Sequence, residues 1–76
     1  MVKAYVLIEA RAGASRNLLR NLGDKPSVVN ASRVTGPYDI IAVVQEEDLE
    51  QVHVLVTEQI HSMQGVLRTT TMVAVG

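Results

Sequence analysis

Hydrophobic and polar positions alternate with a period of two from Val2 to Ala10, which predicts a strand. Val2, Ala4, Val6, Ile8 and Ala10 share one face, and Lys3, Tyr5, Leu7 and Glu9 share the other. The second face is charged at its ends but apolar at its centre, so it is not patterned for water. After a short connection at residues 11–13 the period lengthens. Leu18, Leu19 and Leu22 form one stripe and Arg16, Asn17 and Arg20 lie elsewhere, which predicts a helix over residues 14–22. Ser15 is the expected cap, Gly23 the expected left-handed terminator, and Pro26 prevents the helix from resuming. Residues 27–35 alternate without a strongly apolar face and predict an outer strand. Residues 39–45 carry Ile40, Ala42 and Val44 on one side and Ile41 and Val43 on the other, the pattern of a central strand covered on both faces.

Leu49, Val52, Val56, Ile60 and Met63 follow a helical repeat, with Leu55 broadening the stripe, and predict a long helix over residues 46–63. Val52–Val56 taken alone resembles a strand; the flanking periodicity favours helix. Asp48 and Gln51 have capping-box spacing, and Glu46, Glu47 and Glu50 suit the positive end of a helix dipole. Gly65 ends this helix and residues 66–75 form the last strand. There are no repeats and no low-complexity tract.

The order strand-helix-strand-strand-helix-strand is that of an α+β, ferredoxin-like βαββαβ domain spanning residues 1–76. Right-handed crossovers place both helices on one face of a four-stranded antiparallel sheet. The other face is then bare, although Tyr5, Leu7 and one apolar row of the third strand point to it. Such a surface on so small a domain implies a partner, most simply a twofold-related copy whose sheet packs on it.

Composition narrows the rest. At 76 residues a single core is marginal without a staple or partner, and there is no cysteine to supply a disulfide or a thiolate metal site. Phe and Trp are absent, so the core is aliphatic. A net charge of −1 with interspersed signs gives no basic patch for nucleic acid. Neither a signal-peptide pattern nor a membrane-spanning apolar run is present, which makes a soluble cytoplasmic protein the expectation.

The candidates for chemistry are few, and no catalytic residue, metal site or cofactor is expected. Ala12-Gly13-Ala14 has one glycine and reads as a turn. His53 and His61 are eight residues apart on one helix, about 12 Å by rise alone, too far to share a metal within a chain. Glu46-Glu47-Asp48 reads as a helix start. Thr69-Thr70-Thr71 is β-favouring, with a polar cavity wall as the second reading. The strongest candidate is the stretch from Val34 through Gly36, Pro37, Tyr38 and Asp39. Local chemistry favours a plain hairpin turn there. The alternative is a ligand loop, in which backbone N–H groups receive a carboxylate and Asp39 receives an ammonium.

The run Val34-Thr35-Gly36-Pro37-Tyr38-Asp39, the aliphatic strand after it, Asp48-Leu49, Ile60, Gly65-Val66, and Thr69 and Thr71 together resemble the effector-binding (RAM) domain of Lrp/AsnC transcription regulators. The resemblance covers nearly the whole chain. It implies the same fold, dimers formed through sheet faces, rings of dimers such as octamers, and small effectors, typically amino acids, bound between dimers. It assigns Gly36 and Asp39, with Pro37 and Tyr38 between them, to the effector loop. It also assigns Met72, Val73 and Ala74, with Thr70 adjacent, to the effector site or its coupling to assembly. His61 falls where the family makes dimer–dimer contacts. Such regulators carry an N-terminal helix-turn-helix domain, whereas this sequence enters its first strand at once. The expectation is therefore a stand-alone module without direct nucleic-acid contact, acting on full-length regulators. The loop at residues 23–26 is longer than the resemblance implies. Two other readings remain: a small dimeric ferredoxin-like enzyme of monooxygenase or isomerase type, using Asn30, Ser32 and the threonines in an enclosed pocket, or a purely structural assembly module.

Overall fold

In the computed structural model, which describes residues 1–76, β1 (Val2–Ala10) lies inside the sheet and carries the first row of the core. It is followed by α1 (Ser15–Gly23), β2 (Val28–Arg33), β3 (Ile40–Glu46), α2 (Leu49–Val54) with a π-helical continuation (Leu55–Ile60), and β4 (Val66–Val73). The four strands are antiparallel neighbours in the order β2-β3-β1-β4, the ferredoxin-like arrangement. β1 and β3 are the inner strands, as the two apolar faces of residues 39–45 predict for β3, and β2 is an edge.

Ala4, Val6 and Ile8 of β1 and Ile40, Ala42 and Val44 of β3 are fully buried. They pack with Leu18 and Leu22 of α1 and with Val52, Leu55, Val56 and Ile60 of the second helix. That cluster is wholly aliphatic and contains no polar side chain. The alternate residues on β1 and β3, Tyr5, Leu7, Ile41 and Val43, face away from it and are half-buried. Strand register assembles this open face in rows: Asn30–Val43–Tyr5–Met72 and Ser32–Ile41–Leu7–Thr70. Its centre is apolar and its ends are charged. Lys3 lies over the Tyr5 ring, 5.4 Å from its centroid, and Arg68 pairs with Glu9 at 3.6 Å.

Several local expectations are corrected. α1 is capped by Ala14 with no side-chain bond, so Ser15 is its first residue and not its cap. Gly23 keeps a right-handed conformation, because the helix closes on ordinary turn bonds from the N–H groups of Asp24 and Lys25 before Pro26. Glu46 belongs to β3 and takes a hydrogen bond from the Ser27 hydroxyl, so it is not a helix-start residue. The second helix begins at Leu49, where Asp48 Oδ1 accepts the Gln51 N–H at 2.8 Å.

The second half of this helix is π-helical over Leu55–Ile60. Val52, Val56 and Ile60, all buried, recur in steps of four. The wider turns, with bonds such as His61 N–H to Val56 O at 2.7 Å, keep Val56 and Ile60 on the core. β2 and β4 are also shorter than the alternation suggests, ending at Arg33 and Val73.

Candidate functional site

The hairpin between β2 and β3 is tied to its surroundings at three points. The Val34 N–H donates to Asp39 O (2.9 Å), closing the turn, and the Asp39 N–H donates to Ile8 O (2.9 Å), continuing the ladder to β1. The Asp39 side chain then reaches along β1, where Oδ2 accepts the Ala10 N–H at 2.7 Å. That amide follows the point where the β1–β4 register shifts, between Glu9 and Ala10. Asp39 thus caps an irregularity that the ladder leaves open, a charge-assisted bond of about 1.5–3 kcal/mol. The turn reading of Asp39 is correct in kind, though its bond runs to a distant strand rather than to its own loop. One oxygen is engaged in this way, and Oδ1 is left for a further donor.

Tyr38 makes the third tie. Its hydroxyl lies 3.0 Å from Thr70 Oγ1, and Thr70 shares the open-face row of Leu7 and Ile41. To reach β4 from the start of β3 the side chain crosses β1, so Tyr38 straps the hairpin to the open face. Between these ties the loop tip protrudes. Gly36 adopts φ +121°, in the region that favours glycine, and both Gly36 and Pro37 are exposed. The N–H groups of Thr35, Gly36 and Tyr38 make no backbone hydrogen bond, and Pro37 has none to offer. The loop therefore presents free donors beside one carboxylate oxygen on a braced frame.

The other predicted residues lie elsewhere. Met72, Val73 and Ala74 are exposed and sit against Tyr5, Ala4 and Lys3, toward the opposite end of β1. Ile8, beside the hairpin, and Ala4 are four residues apart on that strand, about 13 Å at a strand's rise. One chain thus groups Gly36, Pro37, Tyr38 and Asp39 with Thr70, and holds Met72, Val73 and Ala74 apart from them. Asn30 and Ser32 are exposed on the open face, and the threonines divide between faces, with Thr70 opposite Leu7 while Thr69 and Thr71 oppose core residues Ile8 and Val6. His61, exposed at the helix end, places Nδ1 3.4 Å from Thr69 Oγ1. Sequence spacing carries no signal for the Tyr38–Thr70 and Asp39–Ala10 contacts, since each depends on which strand lies between its partners.

The family model for the Lrp/AsnC ligand binding domain matches residues 3–76. The structure of TTHA0845 from Thermus thermophilus is similar at a TM-score of 0.94 with 38% identity, covering 100% of this chain and 95% of that one. The HTH-type transcriptional regulator FL11 of Pyrococcus horikoshii is 29% identical over 70 residues, covering 92% of this chain and 46% of the regulator. The chain thus spans about half the length of the curated relative it matches. A regulator from Neisseria meningitidis, NMB0573, whose crystal structure is of an L-Met complex, shares the fold at a TM-score of 0.88 with 18% identity, covering 99% of this chain and 50% of that one.

Proposed function

The chain belongs to the family of Lrp/AsnC ligand-binding domains, and from that premise we propose that it is a non-enzymatic, oligomerising sensor of an amino acid or a close analogue. The observation that carries this reading is the braced hairpin. The N–H groups of Thr35, Gly36 and Tyr38 and the Oδ1 of Asp39, all in one hairpin, have no partner in the chain, and donors and an acceptor of this kind suit the two ends of a zwitterion. The L-Met complex of the Neisseria regulator supports the ligand class. An exposed tip cannot exclude water by itself, so a neighbouring subunit completes the site. Met72, Val73 and Ala74, too far along β1 to share a ligand with Gly36 in the same chain, act at the contacts between copies. The apolar open face supplies the first such contact, a twofold sheet-on-sheet dimer of about 10 Å spacing. Rings of dimers and co-assembly with full-length regulators extend the same scheme, in which the domain itself makes no nucleic-acid contact.

The structural role of Asp39 dictates how the ligand role is tested. Asp39→Ala removes both. Asp39→Asn keeps a carbonyl oxygen for the Ala10 N–H but puts a neutral NH2 donor where the charged Oδ1 acceptor stood. Calorimetry with the amino acid that binds wild type best is expected to show Asp39→Asn weakened by about 2 kcal/mol, roughly 30-fold, as for loss of one partner of a desolvated charged pair. Equal affinity in the two proteins, with folding intact, removes Asp39 from the ligand site.

A further inference from the structure

At the junction of β1 and α1, on the far side of Ala10 from the hairpin, lies a cleft of about 600 Å³ lined by Arg11, Asn17, Arg20, Asn21 and Gln64 together with small residues of the connecting turn. No acidic side chain lines it. The ion pair in the structure, Arg68–Glu9, is elsewhere, and neither Arg11 nor Arg20 donates to any acceptor of the chain through its side chain. Two exposed arginines, whose guanidinium groups each carry five N–H donors in a planar fork, therefore line one concavity with Asn17, Asn21 and Gln64. The floor is rigid. Arg11 N–H donates to Gly65 O at 2.7 Å, Ala14 N–H donates to Arg11 O at 3.0 Å, and Gly65 backs directly on Ala14.

We propose that this cleft binds the phosphoryl group of a small phosphorylated metabolite, independently of the hairpin site. Guanidinium forks match the paired oxygens of a phosphate, and the amides supply further donors to the remaining oxygen. Fixing the turn before the ligand arrives lowers the ordering cost of binding. A nucleic-acid backbone fits less well. Two arginines on a protein of net charge −1 fall short of the roughly six to ten phosphate contacts that typical duplex binding uses.

The test is calorimetric titration of the folded full chain with sodium pyrophosphate and, separately, inorganic phosphate, against sodium sulfate at matched ionic strength. Saturable binding of pyrophosphate or phosphate over sulfate is expected, and the stronger of the two indicates whether the cleft takes an extended phosphoryl chain or a single group. Arg11→Gln and Arg20→Gln each weaken it at least tenfold with unchanged melting temperature, whereas Arg16→Gln, exposed on α1 outside the cleft, changes it less than twofold. Binding no tighter than that of sulfate, or an equal loss in Arg16→Gln, overturns the assignment. So does binding of a 20-base-pair duplex through Arg11 and Arg20 in the absence of pyrophosphate binding.

Discussion

Val43→Glu is expected to convert the assembled protein into monomers of 8.3 kDa at micromolar concentration. Val43 is half-buried at the middle of the open face, flanked by Asn30 of β2 and Tyr5 of β1. Its side chain points away from the core, so glutamate there is solvated in an isolated chain and costs the fold little. In a sheet-on-sheet dimer the same carboxylate is buried twice without a cation. An uncompensated buried charge costs about 3–5 kcal/mol, so each of the two carboxylates raises the dimer dissociation constant by a factor of roughly 10²–10⁴. Light scattering across a dilution series reads the change directly. On the proposed function, in which the hairpin holds only part of the site, amino-acid binding is expected to fall with the assembly. If wild type is itself a concentration-independent monomer, the open face has some other occupant.

Gly65→Ala has the largest expected effect on the fold. Gly65 sits at φ +98°, and an added Cβ meets the Ala14 Cβ at 2.8 Å. The obstacle is a Cβ anchored to the backbone, not the free end of a flexible side chain, so the start of β4 or of α1 must move. Left-handed strain of about 1–2 kcal/mol and overpacking of about 1–3 kcal/mol combine to roughly 2–5 kcal/mol. In a domain of this size that lowers the melting temperature by about 10 °C or more. The double variant Ala14→Gly/Gly65→Ala removes the collision and retains the strained φ, so it recovers about half the loss. Urea unfolding of the three proteins separates the two contributions. An unchanged midpoint in Gly65→Ala shows that the turn relaxes freely.

How much of this is readable in the sequence depends on the range of the interaction. β3 is legible because an uninterrupted apolar pattern on both faces has one economical meaning, an inner strand with two covered sides; β1 shows it only at the centre of its second face, Tyr5 and Leu7, between Lys3 and Glu9. The open face follows from the same residues, Tyr5, Leu7, Ile41 and Val43. Gly36 and Gly65 are legible as turns, and both have positive φ. Gly23 shows the limit of that rule, since a helix ending in right-handed turns needs no glycine conformation. The row from Val52 to Ile60 is legible as a helix, but its steps of four are those of an ordinary α-helix and carry no signal of the π-helical turns.

The site is less legible than the fold. The sequence marks residues 36–39 as a turn with an acid, which is correct, but Asp39 finds its partner 29 residues away at Ala10. Tyr38 finds Thr70 32 residues away, across an intervening strand. Both contacts are products of strand order. They separate the Gly36 loop, which they brace, from Met72, Val73 and Ala74, which the family resemblance groups with it.

The most direct test of amino-acid sensing by the proposed shared site is a thermal-shift titration of the native oligomer with each of the twenty amino acids. A ligand selective for the folded assembly stabilises it by RT ln(1 + [L]/Kd) and raises its melting temperature accordingly. The expected result is that one amino acid, or a chemically related few, gives a saturable rise in wild type that Asp39→Asn reduces. No shift with any of the twenty, up to a concentration of roughly 10 mM at which even a millimolar Kd would register, contradicts it.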